Sequence, residues 1–260
     1  MRPRALTAAP DASSPSSPTR TTTCCSPVPS CVPSIDAGKC VRSVIVTAGD
    51  AGNPAWYWQG REDGLMASYA DIGGVDPDWV TGTLVVDGRS LRTETLSTDP
   101  RLSLVFMELP DGNVDGSGFA ADGSQSLQKL YQGDVPSMHT VTGALHAATY
   151  TLSDLRATLL GVVEDYAPSA IHTLDHAGHY GDGDHSDHHT VAYLTDTAQQ
   201  QYQAAHSFTG YLGTRSPTGR RTSRPRRPSR RARRSSRTPP TTGRPAPRPP
   251  RAPPVRRARG

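Results

Sequence analysis

The sequence predicts an α/β domain in which a parallel β-sheet is covered by helices. Strand-like and helix-like segments alternate along residues 36–212, the pattern of repeated strand–helix–strand units. This stretch holds all three tryptophans but only six of the 24 prolines, and it is long enough to bury a sizeable core. We therefore expect one folded domain there.

Four segments predict strands. Val41–Ala48 is β-branched and mostly apolar, which is typical of a strand buried on both faces of a parallel sheet. Thr83–Asp87, Leu102–Leu109 and Ala170–Leu174 have similar composition and are predicted as further strands.

Three segments predict helices. Arg61–Gly73 has helical composition and runs into a pair of glycines, a stop signal. Ser153 is a suitable N-cap for a helix that carries apolar residues at helical spacing up to Tyr166. A third helix is predicted over His188–Gln201.

The two ends of the chain differ from this middle part in composition. Residues 1–35 are rich in Ser, Thr, Pro and Cys and have no apolar periodicity, so we expect them to be disordered. Residues 213–260 contain 17 Arg and 11 Pro but no acidic residue, which predicts a disordered tail. The basic charge of the chain belongs to this tail, because residues 1–212 carry 11 basic residues against 24 acidic ones.

Composition also excludes several classes of protein. No apolar run is long enough to span a bilayer, and the N-terminus lacks the hydrophobic stretch of a secretory signal, so we expect a cytoplasmic location. The four cysteines show no CxxC spacing, which argues against a zinc ribbon and against a disulfide scaffold.

The strongest chemical signal is a segment rich in histidine and aspartate. Six of the nine histidines lie between His172 and His189, and residues 181–189 read GDGDHSDHH. Imidazole and carboxylate together suit Zn²⁺ or another divalent metal. His185 and His188 lie where a loop enters a helix and can point into one cavity. The alternative is a solvated polar loop that binds metal only adventitiously.

A second candidate segment follows the first predicted strand. Asp50, in a turn after that strand, is a candidate for binding substrate, although a plain strand-to-helix turn is the commoner explanation of such a segment. Arg61 could clamp an anionic or hydroxyl-rich substrate, or form a surface ion pair. The aromatic cluster Trp56, Tyr57 and Trp58 could stack on a sugar or seal the loop against the core.

Two motifs in the right order carry a family resemblance. The stretch VRSVIVTAGDAG, followed by YW, GRE and ASYADIGGV, together with GDHSDHH at 183–189, resembles the PIG-L/LmbE family of N-acetylglucosaminyl deacetylases. The second stretch is similar to that family's second metal motif, HxDH. The resemblance covers residues 36–212. It implies a Rossmann-like parallel sheet with helices on both faces and a zinc-dependent amidase acting on N-acetylated amino sugars or their conjugates.

The resemblance also implies residue roles. His188 would be a zinc ligand, and His185 would stabilise the oxyanion or donate a proton. Asp187 would orient the loop, and Arg61 would help to bind substrate. The implied reaction is attack of a metal-activated water on the acetamide carbonyl.

The family's first metal motif, AHPDDE-like, is absent from the chain. It is expected shortly before Ile35, at the end of a first strand that the predicted domain therefore lacks, and a catalytic zinc generally needs three protein ligands. Under one permitted codon choice, residues 14–26 read two nucleotides later encode AVLAHPDDDLLF. We therefore hypothesise that both ends of the chain are frameshift products that flank a genuine domain.

Two other functions stay open beside the deacetylase. The chain could be a catalytically inactive relative that keeps the fold and binds a sugar. Alternatively, the Arg-rich tail could bind polyanions through phosphate contacts, without sequence specificity because the tail lacks aromatic residues. We expect no specific nucleic-acid partner and no membrane span.

Overall fold

A computed structural model describes residues 31–212 and the backbone of residues 20–24. Residues 1–19, 25–30 and 213–260, which include most of the segments predicted to be disordered, lie outside the described residues. The described part is a mixed α/β fold, as predicted in outline.

A seven-stranded sheet forms the centre of the molecule, in the spatial order β3-β4-β5-β2-β1-β8-β9. Its strands, in chain order, are β1 Arg20–Cys24, β2 Cys40–Thr47, β3 Trp79–Val86, β4 Arg89–Leu96, β5 Leu102–Leu109, β8 Ala170–Leu174 and β9 Ser207–Tyr211. A separate two-stranded ribbon pairs β6 Met138–His139 with β7 Thr149–Tyr150.

The sheet is mixed, whereas a parallel sheet was predicted. Neighbouring strands pair in parallel along the run β5-β2-β1-β8-β9, whereas β3 pairs antiparallel with β4 and β4 pairs antiparallel with β5 at one edge. The cause is the turn Asp87-Gly88, where both residues have positive φ (47° and 70°). A two-residue turn of this kind closes a hairpin, and a hairpin makes its two strands antiparallel.

Helices cover both faces of the sheet. They are α1 Val32–Asp36, α2 Ala55–Gly73, α3 Leu127–Gln132, α4 Leu152–Tyr166 and α5 Ser186–Gln201. Along β5, Val105 and Met107 pack in the cluster that includes residues of α3, α4 and α5, while Leu104 and Phe106 pack in the cluster that includes residues of α1 and α2. Every residue of β5 is therefore buried, which explains its continuous apolar run.

The predicted elements agree with the structure unevenly. The bounds of β5 and β8 are those predicted, while α2 begins six residues before the predicted Arg61. The N-cap of α4 is Thr151 rather than Ser153, because Thr151 and Asp154 form a reciprocal capping box. The third predicted helix begins at Ser186, with His185 as its N-cap.

The N-terminal boundary at residue 36 also differs from the structure. Strand β1, Arg20–Cys24, lies between β2 and β8 in the middle of the sheet, in the segment predicted to be disordered and ahead of a domain predicted to lack its first strand. Its three threonines are β-branched, and the backbone groups of β2 and β8 on either side need a partner. This strand was not predicted because it lies in a segment of low sequence complexity without apolar periodicity.

Candidate metal centre and adjoining cavity

The predicted site residues gather at the carboxyl edge of the parallel strands. The loop after β2 brings Asp50, the loop after β5 brings Asp111, and the N-terminus of α5 brings His185 and Asp187. Ligands of open α/β sheets bind at this edge. The fold therefore joins segments that are far apart in the sequence.

Helix α5 begins with a histidine cap. Nδ1 of His185 accepts a hydrogen bond from the backbone N–H of Asp187 (3.2 Å), which leaves Nε2 facing Oδ1 of Asp111 at 3.4 Å. Burial opposes a charge on His185, but hydrogen bonding to Asp111 and the nearby carboxylates outweigh it and raise its pKa.

Asp187 is a buried carboxyl group held on one side only. Oδ2 accepts from the backbone N–H of Gly112 (2.9 Å), whereas Oδ1 is buried without a hydrogen-bond partner. Burial is the largest effect on its pKa and raises it to about 7, against the lowering effects of Gly112 N–H and His185. A Cβ at position 112 would collide with Oδ1, so this close approach requires glycine.

Asp111, His185 and Asp187 form a group with metal-binding spacing. One ligand atom from each lies within 4.8 Å of the others, and the described residues contain no other such group. Two carboxylates and one imidazole are ligands that zinc and manganese accept. Sequence reasoning missed Asp111, although its position directly after a buried strand was a usable signal.

His188, the metal ligand implied by the resemblance, lies beside this group rather than in it. Its Nδ1 is 2.8 Å from Oδ1 of Asp184, and its ring centroid is 5.3 Å from that of His185. A histidine whose Nδ1–H is held by a carboxylate has its Nε2 lone pair available for a metal or a proton. His188 is half-buried, so a ligand can reach its side chain.

Arg61 and His188 line one cavity of about 310 Å³ together with Asp187 and Glu62. Arg61 is exposed, and its guanidinium lies 5.9 Å from the ring centroid of Tyr57. A Cβ at Gly49 would lie 3.1 Å from its Nε, and Gly49 has φ of +63°, so the loop after β2 passes closely under this arginine. The structure thus brings Arg61 and the α5 residues together.

Asp50 is buried outside the residues that line this cavity. Its Oδ1 accepts from the backbone N–H of Asp111 (2.8 Å) and its Oδ2 from that of Gly52 (2.7 Å). Both oxygens therefore hold loops in place. Asp50 fixes the backbone of Asp111, which forms the group with metal-binding spacing together with His185 and Asp187. Its direct contact with substrate stays a prediction.

The three aromatic residues before Arg61 belong to helix α2 and have different environments. Trp58 is buried against Ala48 and Val141, so it seals the loop after β2. Trp56 is 70% exposed and contacts Tyr57 edge-on, with ring centroids 5.9 Å apart. Only Trp56 and Tyr57 are therefore placed to meet a ligand from solvent.

Comparisons of this chain with protein-family models, with curated proteins and with solved structures find no match. Among the described residues, no helix has the length and apolar character needed to cross a membrane.

Proposed function

We propose that this protein is a divalent-metal-dependent hydrolase that removes the acetyl group from an N-acetylglucosamine-type sugar or conjugate. The observation that carries the proposal is the convergence of Asp111, His185 and Asp187 within 4.8 Å of one another. They lie beside a cavity lined by Arg61 and His188, and three of these five residues carry the family resemblance at 183–189. On this proposal the sheet is the Rossmann-like scaffold that the family resemblance implies.

The residues present fit a cation. The buried oxygen Oδ1 of Asp187 has no hydrogen-bond partner, and a divalent ion would supply one. Two carboxylates are held within a few ångströms of each other, an arrangement that a positive ion stabilises. The backbone N–H of Gly112 donates to Asp187 and orients its carboxylate, and Asp50 holds the backbone of Asp111 in place. Hydrogen bonds of this kind commonly orient metal ligands.

The chain's own residues divide the remaining tasks. A bound ion would activate water and polarise the acetamide carbonyl. Arg61, exposed at the mouth of the cavity, would bind the hydroxyl or anionic groups of the sugar. His188, with Nδ1 held by Asp184, can carry a proton on Nε2 and give it to the departing amine.

Metal content measured by mass spectrometry tests the first half of the proposal. We expect about one zinc or manganese per chain after dialysis. Asp111→Asn and His185→Ala should lower this content severalfold, whereas His139→Ala, which alters an exposed histidine outside the group, should not. Content near zero in the unaltered chain would overturn the proposal.

Acetate release from N-acetylglucosamine tests the second half. We expect release that EDTA abolishes and that added zinc restores. The inactive-relative reading is favoured by one observation, since β1, RTTTC, occupies an interior position of the sheet and carries none of the AHPDDE-like residues. Bound metal without acetate release would support that second reading and exclude free N-acetylglucosamine as the substrate.

A further inference from the structure

A second cavity, of about 470 Å³, lies where α2 meets β4 and β5. Its wall includes Trp58, Asp63, Arg92 and a group of three glutamates, Glu62, Glu94 and Glu108. Glu62 also lines the cavity beside the candidate metal centre, so the two cavities share one side chain. The proposed hydrolysis assigns no task to the other residues of this cavity.

One arginine serves all three glutamates. The guanidinium of Arg92 donates from Nη2 to Glu62, from Nη1 to Glu94 (3.1 Å) and from Nε to Glu108 (2.9 Å). The side chains of the glutamates are at most 5% exposed. Three carboxylates and one guanidinium therefore leave buried negative charge without a partner, and such charge is costly.

The remaining hydrogen bonds of the group leave one oxygen without a donor. Both oxygens of Glu94 accept from Thr81, and Oε2 of Glu108 accepts from the backbone N–H of Leu145 (3.0 Å). Oε1 of Glu62 is buried and has no hydrogen-bond partner. Burial is the largest effect on the pKa of Glu62, which it raises to about 7 against the lowering effect of Arg92. A donor that brings positive charge would satisfy both deficits.

The geometry favours an organic cation over a metal ion. The three glutamates do not form a group of ligand atoms within 4.8 Å, because the guanidinium lies between them. An ammonium group carries three N–H donors that can each reach a separate carboxylate. The buried Trp58 forms part of the cavity wall.

We propose that this second cavity binds a small molecule bearing a primary ammonium group, of the size of an amino sugar. The ammonium group donates to the carboxyl groups of Glu62 and Asp63, and the body of the molecule fills the space beside Trp58. This site needs no metal, so the proposal can be tested independently of the proposed hydrolysis.

Calorimetric titration of the full chain with glucosamine and with glucose, both in EDTA, tests the proposal. The two sugars differ at one carbon, where glucosamine carries an ammonium and glucose a hydroxyl. We expect glucosamine to bind about tenfold more tightly, the effect of one charge-assisted hydrogen bond. Equal binding of the two sugars, or no binding of either, would overturn the proposal.

Substitutions locate the site. Asp63→Asn alters an exposed residue of the cavity and should weaken glucosamine binding severalfold, and Glu94→Gln should do the same if its melting curve shows a folded chain. Asp71→Asn, on the exposed side of the same helix, should leave binding unchanged, as should His185→Ala at the candidate metal centre. Loss of binding in His185→Ala but not in Asp63→Asn would place the ligand in the other cavity and overturn the proposal.

Discussion

Two clusters of acidic groups, one at the N-terminus of α5 and one beside α2, balance their charge differently. At the N-terminus of α5, Asp111 and Asp187 converge with only a histidine between them. Beside α2, three glutamates surround the guanidinium of Arg92. The first cluster sets one histidine against two carboxylates, whereas the second sets one guanidinium against three. The comparison teaches that a buried carboxylate indicates a binding site only after its internal partners are counted.

Arg92→Met should have the largest effect. It removes the internal cation but keeps an apolar side chain over the ring of Phe106, and it leaves three glutamates buried together. We expect a loss of about 3–5 kcal/mol in the free energy of unfolding, measured by urea titration.

The matched control is Arg89→Met on the same strand. Arg89 pairs with one partly exposed carboxylate, Asp154, so its loss should cost about 1 kcal/mol or less. Equal losses in the two variants would show that the glutamate cluster does not depend on its arginine.

The pH dependence of stability should be next in size, through Glu62. The groups that face it are Arg92, Glu94, Glu108 and its neighbour Asp63. Because folding raises its pKa from 4.5 to about 7, its stabilising contribution is complete below pH 4.5 and is lost as the pH rises through 7. The loss should reach about 3 kcal/mol at most.

Glu62→Gln cannot titrate and should flatten this part of the curve. Thermal or urea unfolding of both chains between about pH 5 and about pH 8 measures the difference. Parallel curves for the two chains would mean that Glu62 has an ordinary pKa in the folded state.

Gly112→Ala should disturb the first cluster directly. The added Cβ collides with Oδ1 of Asp187, so we expect a loss of about 1–3 kcal/mol in unfolding free energy and a severalfold loss of bound metal. Gly64→Ala is the control, because a Cβ at that position in α2 meets nothing within 4 Å. It should stabilise the helix by about 0.5–1 kcal/mol. A Gly112→Ala chain with full metal content would contradict the assigned geometry.

Asp111→Asn should have the smallest effect on stability. It removes one of two like charges but keeps an oxygen that can accept from the backbone N–H of Asn113, so without metal we expect a change within about 0.5 kcal/mol. The rise in melting temperature on adding zinc should nevertheless disappear. A variant that still responds to zinc would exclude Asp111 as a ligand.

Local pattern predicted some elements well and missed others for physical reasons. The bounds of β5 and β8 followed from apolar and β-branched runs. Strand β4, RSLRTETL, was missed because its arginine and glutamate side chains are buried only through pairing with residues of other elements. The antiparallel edge was missed because the Asp87-Gly88 turn was not read as a hairpin signal.

The residues of the candidate site likewise include some that the local sequence predicted and others that it missed. His185, Asp187 and His188 were recognisable because metal-binding residue types are concentrated in one short segment. Asp111 and the Arg92 cluster were not, since each lies in an ordinary segment and acquires its chemistry from distant neighbours. Asp50 is predicted from the sequence to bind substrate, and in the structure its side chain accepts hydrogen bonds from the backbone N–H groups of Gly52 and Asp111.

Residue type and local spacing were enough to predict the α/β class, the apolar strands and the histidine-rich segment at the start of α5. The tertiary structure alone decided that β1 lies between β2 and β8, that Asp111 meets His185 and Asp187, and that Arg92 lies among three glutamates. These contacts join residues far apart in the chain, and only the assembled sheet brings their strands and loops side by side.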